Sequence, residues 1–299
     1  MNTQVKQPLW LVFAPLIFLF LWSGGYATAK LGLQYAEPMV FLVIRYGLVV
    51  AIMLAAMVVL RPPLPKRGMD WVHLSVVGFL LQSVYFGFCY AGFASGVGAG
   101  TMALIMSLQP ILVGILAPRW TGEKIGWQRW LGLALGLAGT GIVIVARSSL
   151  EPPTVFGFLA AALALAGISS ASLWEKRFGL SHHPVTSNLI GYVAGLLGIL
   201  PLAFFLEVNE SWNIFANVEW TWEFSAAVAY LVVGNSVIAV SLLLGMIRAG
   251  EVSRVSALFF LVPPLAALIA WVLIGEVIPV SAWPGIFIAA AGVYIANRF

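Results

Sequence analysis

The chain has 299 residues, of which 62% are hydrophobic and 9% charged, with 12 Trp, 19 Phe, 8 Tyr and a formal net charge of +4. A soluble domain is roughly 45 to 50% apolar, so the excess excludes a water-soluble globular fold and points to a chain embedded in lipid. One cysteine, Cys89, excludes an internal disulfide framework, and its apolar surroundings suit an inert buried thiol.

A bilayer crossing needs roughly 20 apolar residues, and on that scale the chain divides into about ten stretches. They lie near 9–30, 38–60, 72–94, 98–117, 127–146, 153–174, 185–206, 226–247, 252–274 and 280–297. The first follows Lys6 and offers Ala27-Thr28-Ala29, but it exceeds the roughly 7 to 15 residues of a signal-peptide core, so a retained span is expected. Proline-rich breaks at Arg61–Arg67, Glu151-Pro152-Pro153 and Leu180–Pro184 cannot continue a helix. Only Ser95-Gly96-Val97-Gly98 joins the third and fourth spans, which predicts a tight antiparallel pair.

Charge sets the orientation. With a cytoplasmic N-terminus, Lys6, Arg61, Lys66, Arg67, Arg119, Lys124, Arg129, Lys176, Arg177, Arg248, Arg254 and Arg298 fall on one side, while Lys30 and Arg147 fall on the other and Arg45 lies within a span. By the positive-inside rule both termini are cytoplasmic, in a plasma (bacterial inner) membrane, and the number of spans is even. The loop from Glu207 to Glu223 has glutamates and no Lys or Arg, as an external loop allows.

The chain also repeats itself. Ala103-Leu104, Pro110, Gly122-Glu123, Trp130, Gly132 and Gly139 return in order as Ala257-Leu258, Pro264, Gly275-Glu276, Trp283, Gly285 and Gly292. The offset is about 153 to 154 residues, the mark of an internal duplication. Each half, 1–150 and 151–299, holds five spans, and an odd number starts the second half from the opposite side. The expected fold is an all-α integral membrane protein of ten transmembrane helices arranged as two inverted five-helix repeats, a geometry suited to alternating access.

Together with Ile44-Arg45-Tyr46 in the second span, this pattern resembles the drug/metabolite transporter superfamily, and along its whole length the ten-span EamA-type exporters. Two departures are Val262-Pro263-Pro264, which doubles a proline, and Trp22-Ser23-Gly24-Gly25-Tyr26, only loosely echoed by Ser169–Trp174. The resemblance implies a central cavity lined by the first, third, fourth, sixth, eighth and ninth spans, with the fifth and tenth as outer supports. It implies cargo among amino acids, including aromatic ones, Thr and Met, or among drugs, nucleotide sugars and sugar phosphates.

Helical spacing groups Trp22 with Tyr26, Gln82 with Tyr85 and Cys89, Met102 with Met106 and Gln109, and Ser253 with Ser256 and Phe260. With Trp174 and Asn235 these supply the candidate substrate-binding residues: Trp22, Tyr26, Gln82, Tyr85, Met102, Met106, Trp174, Asn235, Ser256 and Phe260. Such a lining accepts apolar side chains and hydrogen-bonds an amino-acid head, although plain helix packing explains the same stripes. Gly96, Pro110, Gly250 and Pro264 are candidate hinges, with a static kink as the alternative. Glu123 and Glu276 are expected to cap helix ends or pair with Lys124. Arg45, the one charge well inside a span, serves either a structural network or function.

No Asp or Glu lies near a span centre, so export without obligatory proton coupling is expected, and the lack of paired Lys or Arg disfavours phosphate-bearing cargo. His182-His183 has no third ligand nearby, so no metal is expected, nor any other cofactor. Asn209-Glu210-Ser211 fits a glycosylation sequon. Gly132–Gly136 and Gly191–Gly195 allow close helix contact, by default inside one chain, so a monomer or weak homodimer is expected, with the lipid bilayer and a small-molecule amino acid as partners and no nucleic acid. Neither an H-E-x-x-H motif nor an intramembrane nucleophile and base is present, which disfavours an enzyme, and matched Pro and Gly favour a carrier over a channel. The expected function is export of small metabolites, foremost amino acids (aromatic, Thr, Met), with multidrug or other apolar-metabolite efflux as the alternative.

Overall fold

The computed structural model describes residues 9–147, 154–179, 182–207, 213–274 and 277–298. Among these every regular element is helical: α1 (Leu9–Gly32), α2 (Pro38–Leu60), α3 (Gly68–Ala94), α4 (Ala99–Met106 and Gln109–Trp120), α5 (Trp127–Arg147), α6 (Val155–Phe178), α7 (Pro184–Leu206), α8 (Trp222–Ala249), α9 (Val252–Ala257, Leu258–Leu261 and Val262–Ile274) and α10 (Ala282–Arg298). Eight of them, α2 to α9, are long and apolar enough to cross a membrane. Of the other two, α1 carries Ser23-Gly24-Gly25 and Lys30 in its second half, and α10 has 17 residues. Helices α3, α6 and α8 run about one turn beyond their apolar stretches, because a nucleated helix propagates through polar residues.

The helices are apolar on both their inner and outer sides. Phe18, Phe41, Tyr46, Tyr85 and Phe260 are buried, while Val58, Val59, Val155, Phe205 and Phe287 face outward. A bundle that is apolar all round is solvated by lipid, so this is an integral membrane protein. Exposed Trp71, Trp120 and Trp127 mark the face at which α1 begins, here the near face, and Trp220 and Trp222 mark the opposite, far face. Indole rings prefer these interfaces.

The most extensive helix contact joins α5 and α10, and glycine makes it possible. A Cβ at Gly132 would stand 2.5 Å from the Ala296 nitrogen and 2.7 Å from the Gly292 carbonyl oxygen, and one at Gly285 would stand 2.6 Å from the Gly139 carbonyl oxygen. Gly132 thus meets Gly292 while Gly139 meets Gly285. Residues early in one helix face residues late in the other, which is an antiparallel contact of isologous form. A second close approach is Gly78 of α3 against the backbone of Gly191 in α7. The glycines singled out in sequence serve contacts within the chain.

Carboxylates cap helices across the fold. Glu123 accepts hydrogen bonds from the Val252 and Ser253 backbone N–H groups at 2.6 and 3.2 Å and from Ser253 Oγ at 2.7 Å, closing the start of α9. Glu207 accepts from Met39 and Val40 at the start of α2. Burial pushes the Glu207 carboxyl up against the downward pull of those two donors. Orphan N–H groups and the positive helix end both favour this placement. Glu276 and the Asn209-Glu210-Ser211 sequon lie outside the described residues.

Both α4 and α9 break just ahead of their prolines. Ser107-Leu108 interrupts α4 before Pro110, and a 3-10 turn, Leu258–Leu261, precedes Pro263-Pro264 in α9. Proline has no N–H to offer the preceding turn, so continuous α-helix is lost there. Gly96, with φ 91°, makes the α3–α4 turn, and Gly250 ends α8 in extended backbone.

The α5–α10 seam gives a direct test. Gly139→Val forces a side chain into the α10 backbone and is expected to destabilise by about 2 kcal/mol. Gly141→Val, where a Cβ meets nothing within 4 Å, is expected to leave the melting temperature in detergent unchanged. Equal melting of the two variants would show that the seam is not tightly packed.

Candidate functional site

Helices α3 and α8 both widen from α- to π-helical hydrogen bonding near mid-length, over Phe79–Phe86 and Tyr230–Ala239. The two wide segments carry matching polar pairs, Gln82-Ser83-Val84 and Asn235-Ser236-Val237. A π turn closes i→i+5 and rotates later side chains away from α spacing. Gln82 therefore lines a cavity toward the near face, whereas Tyr85 and Cys89 line one toward the far face. The common face expected for these three residues is split for that reason.

Arg45 of α2 points across the bundle to α8. Its Nε donates to Ser236 Oγ at 2.8 Å, Nη2 to Asn235 Oδ1 at 2.7 Å and Nη1 to the Tyr90 hydroxyl at 3.3 Å. The guanidinium lies 4.4 Å from the centre of the Phe86 ring, a cation–π contact. Arg45 is wholly buried, and among the described residues no carboxylate pairs with it. These bonds use three of its five N–H donors, and the Tyr192 hydroxyl lies beside the guanidinium as a further acceptor. Gly25 of α1 leaves the room that Asn235 needs: a Cβ there would stand 2.5 Å from the amide nitrogen.

Next to Arg45 lie two related tyrosines. Ile44-Arg45-Tyr46 in α2 occupies the position of Ile190-Gly191-Tyr192 in α7. Their rings meet edge to face at 5.4 Å. The Tyr46 hydroxyl donates to the Gln82 carbonyl at 2.8 Å, while the Tyr192 hydroxyl, buried beside Gln82 and Ser236, has no aligned hydrogen-bond partner. Where α2 has Arg45, α7 has Gly191, and α3 closes onto that glycine.

This polar layer separates two cavities. The far cavity, a narrow crevice, is lined by α1, α2, α3 and α8 through Trp22, Tyr26, Arg45, Tyr85, Phe86 and Asn235 among others. Trp22 stacks on Tyr85 at 6.1 Å with a 12° tilt, and the Tyr26 and Tyr85 hydroxyls hydrogen-bond at 3.0 Å. The near cavity, likewise narrow, is lined by α3, α6, α7 and α8 through Gln82, Glu175, Ser187, Asn188, Tyr192 and Arg248 among others. It adjoins a cleft of about 1180 Å³ between α7 and α8, sharing Ser187, Asn188, Leu244 and Arg248 with it. At the far face a cleft lined by Glu37, Pro38, Phe93 and Ala94 shares Phe93 with the far cavity, and deeper between α2 and α3 the Phe41 and Tyr90 rings are in contact at 5.6 Å.

Of the residues singled out in sequence, Trp22, Tyr26, Tyr85 and Asn235 converge on the far cavity and Gln82 faces the near one. Met102, Met106, Ser256 and Phe260 are buried: Met102 of α4 packs on α3, its Sδ 4.0 Å from Cys89 Sγ, and Ser256 Oγ of α9 accepts from Gln109 Nε2 of α4 at 3.1 Å. Phe260 presses against Gly136 of α5. Trp174 sits apart, in an aromatic cluster with His73, Trp120 and Phe178 near the near face. Arg45, Tyr46, Tyr192, Glu175 and Arg248 belong to the polar path without having been among those candidates. The repeated Gln-Ser-Val and Asn-Ser-Val strings were the signal that marks this layer. Among the described residues no group of three or more His, Cys, Asp or Glu is placed to hold a metal ion. His182 lies 3.6 Å from Asp70, and His183 accepts from the Val185 N–H at the start of α7.

The EamA-like transporter family matches residues 9–145 and 153–298. An S-adenosylmethionine/S-adenosylhomocysteine transporter of Chlamydia trachomatis is 26% identical over 100% of this chain and 91% of its own length. A probable amino-acid metabolite efflux pump of Salmonella typhimurium is 23% identical over 95% of this chain and 93% of its own. One crystal structure shares the fold with a TM-score of 0.76 at 20% identity, covering 96% of this chain and 97% of that one.

Because a hydrogen bond to a buried charge is worth about 2 kcal/mol, Asn235→Leu is expected to destabilise by that amount in detergent unfolding. Asn235→Asp, which supplies the missing countercharge, is expected to fold with undiminished stability. The reverse order would mean that Asn235 does not hold the Arg45 charge.

Proposed function

This chain belongs to the EamA-like transporter family, within the drug/metabolite transporter superfamily, and on that premise we propose that it exports amino acids, aromatic ones, Thr and Met foremost, across the plasma membrane. The observation that carries this is Arg45, a buried cation with spare N–H donors and no carboxylate, set in an aromatic cavity. A substrate carboxylate supplies the missing charge in a geometry a guanidinium favours, and Trp22, Tyr85 and Phe86 take the side chain. S-adenosylmethionine and S-adenosylhomocysteine, in the name of one relative, carry an α-amino-acid head, and the other is named for amino-acid metabolites. A lipophilic cation, the alternative cargo, is repelled by Arg45. Among the described residues Glu175 is the one carboxylate lining the cavities on either side of the polar layer, and it is paired with Arg248, which supports export without an obligatory proton relay.

Transport proceeds by alternating access through ten spans, 1–150 forming one five-helix repeat and 151–299 its inverted partner. Support comes from the reciprocal Gly132–Gly292 and Gly139–Gly285 contacts, the twin π segments and the matched proline breaks. Two cavities built from corresponding helices on either side of one polar layer are what such a carrier presents. With both termini cytoplasmic, the open cleft faces the cytoplasm, where export begins. Pro110 and Pro264, with Gly96 and Gly250, are the hinges. The chain works as a monomer or weak homodimer, since its glycine seams are used internally.

Purified protein in liposomes is expected to catalyse saturable counterflow of Phe, Thr or Met at equal rates with and without a pH gradient. Arg45→Gln and Asn235→Asp are each expected to slow it tenfold or more. Movement of a lipophilic cation alone would remove the amino-acid assignment, and strict dependence on the gradient would remove uncoupled export.

In the exchange of states, Tyr192 takes the bond that Tyr46 now makes, donating to the Asn235 carbonyl, the counterpart of Gln82. Tyr46→Phe therefore shifts the population toward the outward-open state, and Tyr192→Phe toward the inward-open one, each by roughly 2- to 10-fold for a hydrogen bond of about 0.5–1.5 kcal/mol. Maleimide labelling of single cysteines in the α7–α8 cleft reads the shift. Equal effects of both variants would contradict the exchange.

A further inference from the structure

The near cavity holds an ion pair that the far cavity lacks. Glu175 of α6 and Arg248 of α8 pair within it, their side chains 1% and 19% exposed. The corresponding positions of the first half, Ala29 in α1 and Ser95 after α3, carry no charge. A duplicated scaffold does not need this pair, since its other half is built without one. In the same cavity Ser187 Oγ lacks a hydrogen-bond partner, and Gln82 Oε1 and the Tyr192 hydroxyl lie side by side without an aligned bond, on side chains 6%, 2% and 0% exposed. Unsatisfied polar atoms are costly in a low-dielectric interior and point to a polar ligand that completes them.

Resting on the amino-acid reading above, we propose that Glu175 and Arg248 form the cytoplasmic docking subsite for the zwitterionic head of the substrate. The incoming ammonium takes the place of Arg248 on Glu175, with Gln82 Oε1 and Ser187 Oγ as further acceptors. The carboxylate takes the place of Glu175 on Arg248. Two charges are exchanged for two, so none is left unpaired. An anion lacking the amine leaves Glu175, 1% exposed, without its countercharge, and a cation lacking the carboxylate takes Glu175 from Arg248 and gives it nothing in exchange. Ser187, Asn188 and Arg248 also line the open α7–α8 cleft, so the subsite lies on the way in. From it the carboxylate passes the Tyr192–Gln82 layer to Arg45.

Counterflow of labelled phenylalanine tests this with three competitors: phenylalanine, its methyl ester as a cation and 3-phenylpropanoate as an anion. Wild type is expected to be inhibited at least tenfold more strongly by phenylalanine than by either analogue. Glu175→Gln is expected to move the preference toward 3-phenylpropanoate and Arg248→Gln toward the ester, while Glu175→Asp retains the wild-type order. A pair that only ties α6 to α8 would lower all three together and leave their ratios unchanged, which overturns the proposal. If neither variant folds, the wild-type competition still decides, because equal inhibition by all three overturns it as well. Wild type that moves no phenylalanine, threonine or methionine overturns the amino-acid reading itself, and that result appears before any variant is made.

Discussion

A guanidinium placed deep among apolar helices must be solvated by the protein, and most of the central architecture follows from how Arg45 is accommodated. Water does that work at a surface; here it falls to Asn235, Ser236, Tyr90 and the face of Phe86. Neutral dipoles can hold a buried cation but cannot cancel it. The site keeps a net positive charge with donors to spare, which is the condition for binding an anionic group in transit. A resident carboxylate would satisfy Arg45 permanently and abolish that condition.

The same arrangement ties the two halves together. Arg45 comes from the first and Asn235-Ser236 from the second, while Tyr46 of the first touches Tyr192 of the second. Around this centre the glycines set distances: Gly25 admits the Asn235 amide, Gly78 and Gly191 let α3 and α7 touch, and the α5–α10 seam closes the periphery. Duplication supplies the plan and substitution breaks it where function requires. Gly191 stands where Arg45 stands in the other copy, Ala29 where Glu175 does, and Ser95 where Arg248 does. Each departure puts a charge in one cavity that the other lacks.

Helices α2 to α9 are legible in the sequence because lipid leaves little choice: about 20 apolar residues flanked by Pro, Gly and charge can only be a buried helix. The α3–α4 turn and the capping role of Glu123 are legible for the same kind of local reason. The site is less so. Grouping Gln82 with Tyr85 and Cys89 assumes α spacing, and no composition rule announces a π segment. Trp174 lies in a helix implied to face the cavity, yet its last turn carries it into a cluster with His73 and Phe178. Arg45 is visible as an anomaly, but its partners are far away in sequence, and only the folded chain shows that none of them is acidic.

The central claim is that the α7–α8 cleft and the α2–α3 gap are the two ends of one reciprocal movement. Spin-label distances across each gap test it most directly, with one pair at exposed His183 and Ala249 and the other at exposed Glu37 and Ala94. On adding substrate, the populations are expected to redistribute so that the His183–Ala249 distance shortens in the same fraction of molecules in which the Glu37–Ala94 distance lengthens. Distances that change independently, or gaps that open together, would contradict alternating access about the Arg45 layer.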